Sequence, residues 1–438
     1  MLTNKFRTGA IALTILVSPH VARASEAELM QRLDKLAAEV AQLKAELAAT
    51  RQRSDDAVAA VQNQTNNSAA TTAGAAASTA PVADSPRGAE TVLSGYGEVN
   101  FNRPRQDPSQ SKADVRRAVI GIEHRFDAKT NLVTEFEWEH AVTSATDKGE
   151  SEVEQLYIER EFGNGLRAKA GLFLIPAGLL NTNHEPTAYY GVERNFVETA
   201  IIPSTWREAG LGLSSTLDNG LSWDLGITTG FDLTKWDASS GDGRQSPLGS
   251  IHQEGQLAKS HDLALHAALN WRGVPGLLLG GSIFSGKASH ATAGFAAPDA
   301  RVTLADIHAR YTPGKWDLAT VYARGTISNT DALNQTFVGN PTPIPASFDG
   351  WYTQAAYQVW KTGDYTLTPF VRYERFNTAR SYAALPAGLG IAPAPTEKVT
   401  TLGANLRIGE GVVLKADYQK FGEDASRDRL NLGLGYAF

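Results

Sequence analysis

The chain has 438 residues, 42% hydrophobic and 20% charged, with 41 Lys and Arg against 47 Asp and Glu, and no cysteine. The acidic balance argues against a protein built around a basic nucleic-acid-binding face. The lack of cysteine excludes disulfides and thiolate metal sites. No stretch approaches 18 uninterrupted apolar residues, so the sequence predicts no membrane-spanning helix.

Residues 1–24 have the pattern of a secretory signal peptide. Two basic residues precede the apolar run 10–17, and Ala22-Arg23-Ala24 supplies a small-residue cleavage site. A transmembrane anchor is the alternative, but the run is too short to cross roughly 30 Å of hydrocarbon. Cleavage after Ala24 removes three basic residues and no acid, and changes the net charge from −6 to −9.

Residues 25–53 form a heptad pattern, and residues 54–90 form a linker. The narrow apolar stripe, two residues in seven, favours a coiled coil between chains over a single amphipathic helix lying on protein or lipid. The linker is dominated by Ala, Thr, Ser, Asn and Gln, which is typical of a flexible segment. The apolar positions of the heptads are Leu29, Leu33, Leu36, Val40, Leu43 and Leu47.

From residue 91 to residue 438 the hydrophobic period changes to two, the period of a β-strand. Alternate residues of 221–228 are Leu, Trp, Leu and Ile, and the residues between them are small or polar. Repeated stretches of this kind predict sixteen strands, at 92–101, 114–126, 131–142, 151–161, 165–175, 207–217, 220–231, 260–272, 276–286, 301–312, 315–327, 348–360, 364–376, 397–408, 411–421 and 428–438.

The predicted connections alternate between tight turns and long loops. The long loops include 176–206, 232–259, 328–347 and 377–396. A soluble sandwich also alternates its side chains, but it has no reason to sort its loops, whereas an outer-membrane barrel has short periplasmic turns and long extracellular loops. The predicted fold is therefore all-β: a 16-stranded antiparallel transmembrane β-barrel preceded by a short periplasmic α-helical coiled coil, in a Gram-negative outer membrane.

Aromatic residues fall where such a barrel would meet the two membrane interfaces. Five tryptophans lie at or near predicted strand ends, which favours interfacial girdles over core positions. Phe438 ends the last strand, on its apolar face. The tryptophans are Trp138, Trp223, Trp271, Trp316 and Trp351.

Five segments resemble the phosphate-selective porin O and P family: RRAVIGIEHRF at 116–126, AKAGLFLIPAGL at 168–179, ERNFVETAIIPSTWREAGLGL at 193–213, GWYTQAAYQVW at 350–360 and FVRYERF at 370–376. The resemblance implies a trimeric 16-stranded anion channel. It also implies that the loop after the fifth strand folds inward as a constriction. Arginines would line the wall, and a cluster including lysine would hold the anion.

The resemblance and the strand alternation together select the candidate pore-lining residues. Arginine suits anion recognition because its charge does not titrate away and its fork presents several donors. Salt bridging within the wall is the alternative role for each arginine. The candidates are Arg116, Arg117, Arg125, Arg194, Arg207, Glu193, Glu198, Arg372 and Arg407.

The charge pattern leaves the selectivity open. No lysine occurs between Lys169 and Lys235, so the predicted constriction loop lacks the family's lysine, and acids outnumber arginines there. The leading hypothesis is an outer-membrane porin for passive diffusion of small polar solutes, with anions such as phosphate as its preferred cargo. The alternatives are a general or cation-leaning porin, or a structural anchor tethered through its coiled coil.

An enzyme is not predicted, because the histidines are scattered and neither G-x-S-x-G nor H-E-x-x-H occurs. We predict no cofactor and no metal site, and we interpret Asp237 and Asp242 as part of a solvated acidic loop rather than a calcium loop. The expected partners are outer-membrane lipid, further copies in a homotrimer, and small ions or phosphate-like solutes, with no nucleic acid.

Overall fold

A computed structural model of the protein describes residues 90–144, 146–383 and 394–438. The predicted signal peptide and coiled coil lie outside the described residues, and so does the predicted linker except Glu90, which already belongs to the first strand.

Sixteen strands form a single sheet in the described part of the chain, as the sequence predicts. They are β1 (Glu90–Pro104), β2 (Lys112–Arg125), β3 (Thr130–Glu139), β4 (Ser151–Gly163), β5 (Leu166–Leu174), β6 (Arg207–Thr216), β7 (Leu221–Thr228), β8 (Ala264–Trp271), β9 (Leu277–Lys287), β10 (Arg301–Tyr311), β11 (Trp316–Ser328), β12 (Ser347–Tyr357, continued by Trp360–Thr362), β13 (Tyr365–Ser381), β14 (Glu397–Ile408), β15 (Val412–Phe421) and β16 (Arg429–Ala437).

The sheet closes on itself. Each strand pairs antiparallel with the next, and β16 pairs with β1, with Tyr96 opposite Ala437 and Pro104 opposite Arg429. The backbone of Phe438 bonds to Gly95 in both directions, at 2.9 and 3.1 Å. Closure leaves no edge strand, which is the condition for a sheet to lie in lipid.

Connections at one end of the barrel are tight turns and those at the other end are long loops. The short-turn end carries turns such as 217–220 and 312–315, while the long-loop end carries 175–206, 229–263, 288–300 and 329–346. The short helices all lie on the long-loop side: Pro108–Gln110, a π-helical turn at Val197–Ile201, Leu233–Lys235, Asp242–Gln245, Asp331–Thr336 and Ala425–Arg427. None of the helices in the described ranges is both long and apolar enough to cross a bilayer.

The outer face of the barrel is an apolar surface. Leu225 is 49% exposed and Leu265 is 63% exposed, and both are flanked along the chain by inward-facing polar or small residues. Aromatic rings stand at strand ends, where Trp316 lies 4.7 Å from Tyr357 between ring centroids. An apolar belt edged by aromatic residues is the exterior expected of a transmembrane barrel.

Replacing Leu225 by arginine is expected to lower the free energy of unfolding by about 2–4 kcal/mol, because a charge at the middle of the lipid-facing wall is costly. Leu225→Ala is the matched control, since it removes apolar area without adding charge. Urea unfolding in lipid vesicles measures both variants. If Leu225→Arg lowered the free energy of unfolding by no more than about 0.5 kcal/mol, this face would be in contact with water and not with lipid.

The inside of the barrel contains an apolar core that the sequence analysis did not predict. Trp206, Phe231 and Phe284 are almost fully buried, with ring centroids 4.6 to 5.4 Å apart. The long loops supply much of this core and bond to one another, as where Trp236 Nε1 donates to the carbonyl of Thr342 at 2.9 Å. The long-loop half of the lumen is therefore narrowed by loops packed against β8–β15.

Candidate functional site

The loop between β5 and β6, residues 175–206, folds into the lumen and is called here the constriction loop. Carboxylates of distant strands hold its amides. The backbone N of Val192 donates to Asp417 at 2.6 Å, and that of Phe196 donates to Glu374 at 2.6 Å. Because both carboxylates project inward from the wall, the loop is fixed across the barrel and not only at its ends.

Inward-facing bases and amides of the wall hold the carbonyls of the same loop. Arg372 Nη1 donates to Tyr190 O at 3.1 Å, and Asn405 Nδ2 donates to Tyr189 O at 3.1 Å. Arg407 donates to Thr187 O. Arg372 and Arg407, both selected from the sequence as pore-lining residues, therefore contact the constriction loop in this structure.

Glu198 organises the interior of the loop. Its carboxylate accepts hydrogen bonds from the backbone N of Leu179 (2.5 Å), the backbone N of Leu180 (2.7 Å), Asn195 Nδ2 (2.8 Å) and the hydroxyl of Tyr352 (3.0 Å). Burial raises the pKa of Glu198, and the hydrogen bonds from its neighbours oppose that shift. Glu198 therefore ties two segments of the loop to the wall.

Gly178 allows this close approach. Its φ is +67°, and a Cβ there would lie 2.3 Å from Glu198 Oε1. A glycine is required at this position because both the left-handed backbone and the carboxylate exclude a side chain.

Two arginines stabilise the ends of the constriction loop. Arg194 is buried and donates to Ser204 Oγ at 2.5 Å and to Thr205 Oγ1 at 2.8 Å. Arg207, at the start of β6, lies 2.5 Å from Glu152 and 3.3 Å from Glu254. Both guanidinium groups are surrounded by protein, so neither presents an open fork to a solute in this conformation.

One side of the lumen, on β1–β4, is an acidic wall. Arg117 lies within it, 2.8 Å from Glu98, 2.9 Å from Glu137 and 3.2 Å from Glu139. Further along the same wall are Glu135, Glu152 and Glu154. The described carboxylates of this wall outnumber its arginines.

Two β-bulges shape the acidic wall. The register of β1 with β2 shifts so that Arg116 is the unpaired residue before Arg117, and the register of β3 with β4 shifts so that Glu154 is unpaired. A bulge re-aims side chains and breaks strict alternation. As a result, the consecutive residues Glu154 and Gln155 both contact groups inside the lumen.

The other side of the lumen holds two open polar cavities near the short-turn end. One has a volume of about 620 Å³ and reaches Arg272 and Arg310, and the other has a volume of about 330 Å³ and reaches Arg310, Lys315 and Arg407. Asp317, the carboxylate that lines the second cavity, is bonded to Arg310 through two contacts of 2.9 and 2.7 Å. These cavities are called the basic cavities below.

The remaining sequence candidates lie in other surroundings. Arg116 is half-buried and pairs with no described carboxylate, and Arg125 is exposed near the short-turn end, 3.4 Å from Glu90. Glu193 is half-buried and accepts from Asn102 at 3.0 Å. Lys315 was not selected, because it stands at the first position of the predicted strand 315–327, whereas the structure places it in the turn before β11.

No model of a known protein family matches the chain. An uncharacterized protein of Aquifex aeolicus is 28% identical over 340 residues, which are 74% of each chain. Among solved structures, Salmonella typhi OmpF in complex with daunomycin is 16% identical with a TM-score of 0.55, covering 80% of this chain and 97% of that one.

The outer membrane channel DcaP of Acinetobacter baumannii is 13% identical with a TM-score of 0.52, covering 81% of this chain and 99% of that one. A loop-deletion mutant of OmpT, an outer membrane protein of Vibrio cholerae, is 10% identical with a TM-score of 0.50, covering 80% and 99%. At these identities the likeness concerns the fold, and the chain has the fold of the outer-membrane porins.

Proposed function

We propose that the protein is a porin of the Gram-negative outer membrane, through which small polar solutes diffuse passively, with anions such as phosphate preferred. The observation that carries this proposal is the separation of charge across the lumen. The acidic wall lies on β1–β4, and the basic cavities lie on the side of β8–β11, β13 and β14. The constriction loop lies inside the lumen and is held there by β13 and β15.

The cations on the two sides of the lumen differ in whether they are paired with carboxylates. Arg117 is in contact with three carboxylates, whereas Arg272, Lys315 and Arg407 form no ion pair with any described residue. Unpaired cations lining an open cavity attract anions and repel cations. Acidic residues outnumber basic ones in the sequence. The unpaired Arg272, Lys315 and Arg407 of the basic cavities nevertheless favour anions over cations.

The test is the reversal potential of the purified protein in a planar bilayer under a KCl gradient. We expect an anion-leaning potential, reduced conductance after phosphate is added, and a shift toward cations in the triple variant Arg272→Gln, Lys315→Gln, Arg407→Gln. Lys129→Gln is the control, because Lys129 is exposed in a short turn outside the basic cavities.

The other outcomes identify the alternatives. A cation-leaning wild type would show a general or cation-leaning porin. A protein that folds and inserts into the membrane but does not conduct would favour a structural anchor. The apolar core inside the lumen is the observation that supports this alternative. Deleting residues 25–90 would then abolish the anchoring role, whereas a porin lacking them would still conduct.

An enzyme on the barrel rim is not the function that the geometry favours. A serine nucleophile needs its hydroxyl bonded to a histidine. Within 90–144, 146–383 and 394–438, the histidine rings bond to carboxylates, amides, carbonyls or a threonine, and no serine hydroxyl bonds to them.

Assembly as a homotrimer is part of the same proposal and follows from the family resemblance. The mass of the detergent-solubilised protein by light scattering tests it, and a monomeric mass would contradict the trimer without affecting the channel.

A further inference from the structure

A histidine of the constriction loop faces the acidic wall with one nitrogen free. His184 is 4% exposed, and its Nδ1 lies 3.0 Å from the carbonyl oxygen of Asn181. A carbonyl can only accept, so Nδ1 carries the proton and donates. In the neutral imidazole Nε2 then holds a lone pair, and in the described part of the chain Nε2 has no hydrogen-bond partner. Histidines that bind metals are oriented in this way, with the other ring nitrogen donating to a carbonyl or carboxylate.

The lone pair faces two carboxylates of the wall. Glu154 is fully buried, and its Oε2 lies 3.8 Å from His184 Nε2, which is too long for a hydrogen bond. Its Oε1 has no hydrogen-bond partner among the described atoms. One ligand atom each of Glu135, Glu154 and His184 lies within 4.8 Å of the other two. An ion with bonds of about 2.0–2.2 Å would fit among them after a small contraction.

The neighbouring arginines do not neutralise these two carboxylates. Arg117 contacts Glu137, and Arg207 contacts Glu152, on either side of the cluster. Glu154 accepts a hydrogen bond from the hydroxyl of Tyr96 at 3.2 Å, and Glu135 accepts one from the amide of Gln155 at 2.6 Å. Neither carboxylate contacts a lysine or arginine of the described chain. A buried carboxylate without a cation is costly, so a bound cation would stabilise this cluster.

We propose that His184, Glu135 and Glu154 bind one divalent first-row transition metal ion, with Zn²⁺ as the best match. One imidazole with carboxylate oxygens is a donor set for zinc, and thiolates are absent from the chain. These residues offer three ligand atoms, so water would complete a four-coordinate site. The ion fastens the constriction loop to β3 and β4, and this role does not depend on the selectivity of the channel.

The test uses the untagged full chain, stripped with a chelator and titrated with Co²⁺, whose visible absorption reports its coordination. We expect one Co²⁺ per chain, displaced by Zn²⁺. His184→Gln and Glu154→Gln are each expected to weaken binding by at least about tenfold, since removing even an outer-shell partner costs about 10–100-fold in affinity. Retained β-barrel circular dichroism shows that each variant is folded.

His266→Gln is the matched control, because His266 is equally buried but its Nε2 is already bonded to Asp224 at 2.8 Å. Its affinity for Co²⁺ should equal that of the wild type. The proposal is overturned if the wild type binds no Co²⁺, which would mean that protons neutralise the cluster. It is also overturned if His184→Gln binds as tightly as the wild type. If both glutamine variants fail to fold, a melting temperature of the stripped wild type that does not rise with Zn²⁺ overturns it.

Discussion

Replacing Arg117 by methionine is expected to lower the free energy of unfolding by about 3–5 kcal/mol, the cost of removing one partner from a buried ionic cluster. Arg117 is 5% exposed and is the only arginine or lysine in contact with Glu98 and Glu137 among the described residues. Methionine fills most of the volume but leaves those carboxylates without a cation. Urea unfolding in lipid vesicles, followed by tryptophan fluorescence, measures the change.

Arg125→Met is the control on the same strand. Arg125 also contacts a glutamate, at 3.4 Å, but its side chain is 55% exposed, and exposed pairs contribute about 0–1 kcal/mol. If Arg117→Met lowered the free energy of unfolding as little as Arg125→Met does, water would have to enter the acidic wall, and the cluster would not be buried in solution.

Replacing Glu198 by alanine is expected to release the constriction loop. The change leaves four donors without their acceptor, and each buried donor left unsatisfied costs about 1–3 kcal/mol. The amides of Leu179 and Leu180 should then exchange with deuterium much faster. If the protein conducts, its single-channel conductance should rise because the loop no longer holds its position.

Glu193→Ala removes the same charge from the same loop and provides the control. Glu193 accepts one side-chain hydrogen bond, from Asn102 at 3.0 Å, and is only half-buried. Its removal should leave the exchange of Leu179 and Leu180 unchanged. Faster exchange in both variants would contradict the role of Glu198, since it would show that the loop responds to lost charge alone.

The strands could be predicted from the sequence because period-two alternation is local and repeats in every strand. The bulge at Glu154 could not, since an extra residue is visible only when two strands are paired. The apolar core was missed for a related reason. Residues such as Phe284 and Val321 read as ordinary strand hydrophobics, and only the loops that cover them show that they face inward.

The surroundings of the candidate site residues were harder to predict than their positions. Arg372 and Arg407 were selected as pore-lining residues, and both contact backbone carbonyls of the constriction loop. Whether an inward charge meets water or protein depends on where a loop of about thirty residues lies, and periodicity carries no information on that. Arg272 and Arg310, which line the basic cavities, were not among the candidates selected from the sequence.

The barrel wall holds the constriction loop mainly through the backbone of the loop, which forms hydrogen bonds with the side chains of Asp417, Glu374, Arg372 and Arg407. Every amino acid except proline offers the same amide and carbonyl, so these contacts do not depend on the identity of most loop residues. The loop sequence can thus drift under selection for new cargo while its path through the barrel is kept. Homologues should accordingly differ more at the side chains of the loop than at these four wall residues.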